Sequence, residues 1–182
     1  MAPTSRTFVA AWPSPEVAER LDDVCDVDEP GVRPIRPENW HVTLRFCGDV
    51  DPDAVIDLVA EASLPIAAVE LGPEVVRLDD RQLVIPVSGA DDLVRAVDRS
   101  IGGLGDRRRR PFFGHLTVAR TKGPVDSSLL GAPFQAAFTI DEVAIVVSHL
   151  RPTGAVYRIV ATVPCEPDPG RLNPRRSRSP HG

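Results

Sequence analysis

No stretch of this chain approaches the roughly 20 consecutive apolar residues that a helix needs to span a bilayer, so a helical membrane anchor is not expected. Residues 8–12 form the only apolar run near the start; it is too short for a signal-peptide core and Pro13 follows at once, so no secretory leader is expected. Cysteine is scarce. Cys25, Cys47 and Cys165 are odd in number and widely spaced, which is neither a disulfide framework nor a zinc-ligand spacing and suits a reducing cytoplasm. Positive charge is also short: 21 Lys and Arg against 26 Asp and Glu give a formal net charge of −5. That argues against a broad nucleic-acid-binding face, while leaving room for a cleft that grips one or two phosphates through local arginines.

What is present is ordinary for a globular protein. The 182 residues, 42% hydrophobic and 26% charged, suffice for one domain or two small lobes around a shared core. Residues 107–110 are all arginine, and Arg171, Arg175, Arg176 and Arg178 crowd the tail; such runs ordinarily form a solvated loop and a disordered end.

Periodicity predicts alternating element types. Residues 7–11 read as a strand. Ser14 then reads as a helix N-cap with Pro15 at the first helical position, and Val17, Leu21, Val24 and Cys25 share one face. Pro30, Pro34 and Pro37 break the next stretch into extended pieces and turns. A second helix starts at Asp51-Pro52, with Ala54, Val55, Leu58, Val59 and Ala62 on its buried side and Pro65 as its stop. Strands follow at 66–71, 75–78 and 82–87, the last marked as an edge strand by Pro86. A third helix covers 90–101, ended by Gly102 and Gly103. Strands at 113–120, 134–140, 142–149 and 155–163 complete the chain, and the polar segment beyond Pro164 is expected to be disordered. The sum is an α+β fold of mainly antiparallel sheets with helices outside, one domain over 1–165 and a basic tail over 166–182.

Two segments carry the chemistry. Around His41, the run 40–46 alternates: Trp40, Val42, Leu44 and Phe46 fall on one side, expected in the core, with His41, Thr43 and Arg45 on the other. Around His115 the same order recurs, His115-Leu116-Thr117-Val118 matching His41-Val42-Thr43-Leu44. One such motif alone usually marks a half-exposed strand with a surface histidine. Its duplication on two alternating strands points instead to a matched pair of tools. Histidine and threonine two residues apart on a strand project from one face about 6–7 Å apart. The imidazole can move a proton while the hydroxyl donates to the same substrate group. With two such units facing across a groove, one imidazole takes a proton from water and the other gives one to the departing oxygen. The threonines hold the non-bridging oxygens. The scheme requires no metal or other cofactor.

The segments RPENWHVTLRFCGDV and FFGHLTVAR resemble the two signature motifs of the 2H phosphoesterase superfamily. More narrowly, the chain resembles the bacterial RNA 2′,3′-cyclic phosphodiesterases, historically called 2′-5′ RNA ligases. Arg6-Thr7-Phe8-Val9-Ala10 is similar to that family's opening, and the segment from Ser148 to Tyr157 to its closing hairpin. The resemblance implies two pseudo-symmetric lobes with sheets facing a central cleft. It also implies His41 as proton donor to the 3′ oxygen, His115 as proton acceptor from water, and a 2′-phosphomonoester product. Thr43, Thr117 and Arg120 are implied at the phosphate, and RNA ends as the partner. By alternation Arg45 shares the face of His41 and Thr43, so either a cleft contact or a surface ion pair is expected of it, and nothing in the sequence demands more than a monomer. Where the family has proline before its second histidine this chain has Gly114, expected to loosen the backbone there. Phe8 reads as core, with base stacking as its alternative.

Two other function classes stand beside this one. A nucleotide- or RNA-binding module would keep the groove with little catalysis, which the presence of both histidines and both threonines disfavours. A metal-dependent phosphodiesterase would need clustered Asp and His ligands, absent around both motifs.

Overall fold

The computed structural model describes residues 4–108, 110–151 and 154–167. The tail arginines, Arg109, and the expected disorder beyond residue 167 lie outside these. The described elements run β1 (Ser5–Ala11), α1 (Pro15–Cys25), β2 (Val32–Pro34), a 3-10 turn at Pro37–Asn39, β3 (Val42–Val50), α2 (Pro52–Ala60), β4 (Ala67–Leu71), β5 (Val76–Asp79), β6 (Gln82–Ser88), α3 (Asp91–Ile101), β7 (His115–Thr121), β8 (Ala136–Ile140), β9 (Glu142–Arg151) and β10 (Gly154–Pro164).

The fold is α+β and antiparallel. One path of strands runs β10-β9-β1-β3-β7-β6-β4-β8, with β2 added on β7 and β5 on β6. Its two halves meet at a single registered pair, Val42 opposite Leu116. Past that pair β3 leaves β7, and β2 takes over the vacated edge, with Val32, Arg33 and Pro34 opposite Thr121, Arg120 and Ala119. The two expected lobes are therefore halves of one curled sheet, and the cleft opens where its central strands splay.

The helices pack on the convex side, and they cross between halves. α3 lies against β3 and α2, while α1 lies against β8. The Arg20 guanidinium of α1 fastens the latter contact, donating to the Gln135 carbonyl at 2.6 Å and lying 5.5 Å from the Phe134 ring centre. The apolar stripes read from periodicity face this core: Val17, Leu21 and Cys25 of α1, Val55 and Val59 of α2, and Leu93, Val94, Val97 and Ile101 of α3 are buried. Each full burial of a Leu, Val or Ile is worth roughly 1.5–3 kcal/mol. Ser14 caps α1 through the Val17 amide and Asp51 caps α2 through the Asp53 amide. A second, smaller cluster of Phe8, Ala10, Ala144 and Val146, flanked by Trp12 and Tyr157, lies on the concave side.

Four expectations need correction. β6 is not an edge strand: β7 pairs along one side of it, and β5 and then β4 along the other. Pro86 falls where β5 gives way to β4, so its missing N–H removes no ladder bond, and its carbonyl accepts from Gly72. α2 stops at Ala60, short of Pro65. Cys165 and Glu166 are ordered: Cys165 is buried, and Glu166 exchanges backbone bonds with Leu64 and Ile66. Phe46, expected in the core, is 38% exposed.

That last correction has a local cause. Between β1 and β3, Val9 pairs with Arg45 and Ala10 with Thr43, leaving Leu44 as an extra residue. This β-bulge reverses the alternation beyond Thr43. Leu44 is buried, Arg45 turns to the helix side, and Phe46 turns to the concave side.

Candidate active site

The site is built on the Val42–Leu116 pair. Both side chains are fully buried on the helix side, so their neighbours on each strand project to the concave side. Stepping one residue along the antiparallel strands sets His41 across from Thr117 and Thr43 across from His115. The four residues thus form a square with the two histidines on one diagonal. Cross-strand diagonals of this kind measure about 7–8 Å, a span that accommodates a phosphate between two rings.

Each ring is held in the same way. His41 Nδ1 lies 2.7 Å from the Asn39 carbonyl, and His115 Nδ1 lies 2.8 Å from the Phe113 carbonyl. A carbonyl only accepts, so each Nδ1 carries the hydrogen and each Nε2 is left for the cleft. The acceptor lies two residues before the histidine in both halves. The surrounding cavity has a volume of about 620 Å³, and its lining includes His41, Thr43, His115, Thr117 and Arg120 together with Arg33, Gln82 and Tyr157.

A family model described as LigT like Phosphoesterase matches residues 12–71. An RNA 2′,3′-cyclic phosphodiesterase of Methanothermobacter thermautotrophicus is 29% identical over 157 residues, covering 76% of this chain and 85% of that protein. A protein of the same name from Aquifex aeolicus is 28% identical over 181 residues, covering 85% and 94%. Among solved structures, a Thermus thermophilus protein superposes with a TM-score of 0.74 at 22% identity, covering 90% of this chain and 99% of that one. Escherichia coli LigT complexed with 3′-AMP gives 0.71 at 17% identity, covering 89% and 98%. These two structural likenesses speak to the fold. Over these spans the chain is similar to LigT-like phosphoesterases.

The two histidines differ in surroundings. The His41 ring is enclosed by Phe8, Trp12 and Tyr157, with centroids 5.2, 5.3 and 5.1 Å away. Ala10 and Ala144 of the same small cluster leave room for this packing. Burial holds His41 below the ordinary imidazole pKa; the Asn39 carbonyl opposes this, and the charges of His115 and Arg120 add to it. Among the described residues, His115 has a ring contact with Phe113 alone, stacked at 5.8 Å. Phe8 therefore packs, as expected, but against the His41 ring.

Arg120 reaches the cleft through a second bulge. Leu83 pairs with Ala119 and Val84 with Thr117, so Val118 is the extra residue on β7. The reversal turns Arg120 toward the cavity, where it stands between Arg33 on β2 and Gln82 on β6 in direct register. Two arginines side by side make this wall cationic, as an anionic ligand requires.

Arg45 does not join the site. It is 5% exposed, pairs with Asp98 at 3.3 Å and donates to the Asp106 carbonyl at 2.6 Å. The Leu44 bulge carries it through the sheet, against the expectation that it shares the His41 face. The arginine run is likewise more than a solvated loop: Arg108 binds Asp98 at 3.0 Å and also donates to the Leu44 carbonyl. Gly114 corrects in the same direction. A Cβ there would lie 2.3 Å from the Val87 carbonyl oxygen, so glycine permits a close strand approach instead of loosening the backbone.

Sequence reading missed Asn39, Phe113, Trp12, Arg33 and Gln82. The first two carried a signal, their shared position two residues before each histidine; Arg33 and Gln82 had none, being placed by strand register. Among the described residues no group of three or more His, Cys, Asp or Glu stands close enough to hold a metal ion. The cysteines are buried and unpaired, and burial pushes the Cys47 thiol up to about 11, which keeps it out of thiolate chemistry. No described helix is long and apolar enough to cross a membrane.

Proposed function

We propose that this chain hydrolyses 2′,3′-cyclic phosphates at RNA ends to 2′-phosphomonoesters. The observation that carries the reading is the diagonal pair of imidazoles, each with Nδ1 tied to a carbonyl and Nε2 turned to one cavity. The names of the Methanothermobacter and Aquifex relatives support the substrate class.

In the proposed reaction His115 Nε2 takes a proton from water as the water oxygen bonds to phosphorus. The bond from phosphorus to the 3′ oxygen breaks, and His41 Nε2 gives its proton to that oxygen. In-line displacement needs acid and base on opposite sides of the phosphorus, which a diagonal supplies. Thr43 and Thr117 donate to the non-bridging oxygens, and Arg120 balances the charge that gathers there. Every step uses protons and hydrogen bonds of the chain itself. Microscopic reversibility allows the same groups to join a 2′-phosphate end to a 5′-hydroxyl, with water favouring hydrolysis by mass action. The buried, unpaired cysteines suit a reducing, cytoplasmic setting.

Incubation of a 2′,3′-cyclic-phosphate oligonucleotide with excess EDTA, followed by phosphorus NMR, tests the proposal. The expected product is the 2′-phosphate, and His41→Ala or His115→Ala should each slow turnover by about 10²–10⁴-fold with the fold intact. A near-native rate in either variant overturns the assignment, and binding without cleavage would favour a recognition module.

A further inference from the structure

Beyond the catalytic square, the concave face of the first half-sheet continues as a row. Ile159 lies opposite Val146, Val146 opposite Phe8, and Phe8 opposite Phe46, one residue from each of β10, β9, β1 and β3. Directly paired residues share a face, and this face also carries Thr43, opposite Ala10. The middle of the row is buried, but its ends are open: Ile159 is 50% exposed and Phe46 38%. Arg6 lies over Phe46, its guanidinium carbon 4.8 Å from the ring centre. Asp49 stands opposite Arg6 in the register, yet among the described residues Arg6 forms no ion pair within 4 Å.

The two halves correspond here as well. The bulges at Leu44 and Val118 each turn the fifth residue after the histidine toward the concave side. On β7 that residue is Arg120. On β3 it is Phe46, and the cation comes from Arg6 above it.

We infer that Arg6 and Phe46 form a subsite for the nucleoside preceding the terminal one and for the phosphodiester that joins them. The enzyme is thereby fitted to an RNA end and not to a free cyclic mononucleotide. This rests on the hydrolytic reading above. An unpaired RNA base stacks on aromatic rings and on guanidinium planes. The internucleotide phosphate supplies the negative charge that complements Arg6. The row begins one step beyond Thr43 along β3, so the chain of an RNA end that places its cyclic phosphate between the histidines continues onto it. A mononucleotide leaves it empty.

The test compares kcat/KM for 2′,3′-cyclic AMP and for a diadenosine ending in 2′,3′-cyclic phosphate. The wild-type chain should favour the dinucleotide by about tenfold or more, the stacking contribution of one base. Phe46→Ala and Arg6→Ala should each remove most of that preference and leave cyclic AMP turnover unchanged; Arg6→Lys should restore only part of it. Equal handling of both substrates by the wild type overturns the inference, as does a loss in the variants that falls alike on both. Should neither substrate be cleaved, the hydrolytic reading itself fails. Calorimetric titration with the 2′-phosphate dinucleotide then decides the subsite separately: weaker binding by Phe46→Ala supports it, and unchanged binding overturns it.

Discussion

The Arg108 guanidinium donates to the main-chain carbonyl of Leu44, the residue at which β3 bulges. A bulge leaves its extra residue off the ladder, and a buried carbonyl without a partner is costly. Arg108 meets that need from a loop distant in sequence, and its ion-pair partner, Asp98, is shared with Arg45. The phase reversal that separates Thr43 from Arg45 is thus held from outside the strand. Arg108→Ala should lower stability by about 1–3 kcal/mol, the cost of a lost charged hydrogen bond. It should also reduce kcat/KM, because the bulge adjoins Thr43. Urea unfolding and steady-state kinetics on one preparation check both, and an unchanged kcat/KM would remove the link from bulge to site.

Asp98 and Arg45 offer a sharper contrast. Removing the carboxylate leaves a guanidinium that is 5% exposed with the Asp106 carbonyl and the Cys47 thiol but no anionic partner among the described ion pairs. Asp98→Ala should therefore cost about 2–4 kcal/mol, somewhat below a fully buried pair because Asp98 is partly exposed. Arg45→Met, which fills similar volume without charge, should cost less. Midpoints of urea unfolding for the two variants decide the order; the reverse order would mean that Arg45 has found another partner.

Gly114 sets the approach of β7 to β6. A Cβ would sit 2.3 Å from the Val87 oxygen and 3.2 Å from the Phe112 ring, and Val87 N–H already donates to the Gly114 carbonyl at 2.8 Å. The backbone oxygen cannot turn away. Gly114→Ala should push the strands apart just before His115, costing about 1–3 kcal/mol as overpacking does, with kcat falling more than KM rises. A fully active Gly114→Ala protein would show that the strands tolerate the displacement.

Much of this was legible beforehand because it depends on short-range pattern. The duplicated histidine-threonine spacing, the Ser14 and Asp51 caps and the apolar stripes of the three helices are set by neighbours within one or two turns. What failed was whatever depends on a bulge or on pairing register. Strict alternation from Trp40 sent Phe46 to the core and Arg45 to the cleft, and one extra residue at Leu44 exchanged them. Arg33 and Gln82 came to flank Arg120 through strand pairing, which no local periodicity encodes. Pro86 misled for a related reason, since only the change of neighbour from β5 to β4 shows why its missing donor is harmless.

The enclosure of His41 makes acidity a probe of both stability and rate. Burial holds the folded imidazole below the ordinary value of 6.5, whereas the unfolded chain has that ordinary value. As pH falls through 6.5 the unfolded state takes up a proton that the folded state refuses. Stability is then lost progressively until the pH passes below the folded value. The same depression bears on turnover, because a proton donor must be protonated before it acts. The limb of kcat/KM that His41 sets, which reports the free protein, should lie below the ordinary imidazole value. The corresponding limb of kcat should lie higher, because a bound phosphate favours the imidazolium. Trp12→Ala removes one of the three rings around His41 and admits water, so it should move the kcat/KM limb up toward 6.5. Proton NMR titration of the His41 ring, beside pH-rate profiles of both proteins, measures the shift. If Trp12→Ala leaves limb and titration where they were, the depression does not come from the aromatic enclosure, and the charges of His115 and Arg120 would have to account for it.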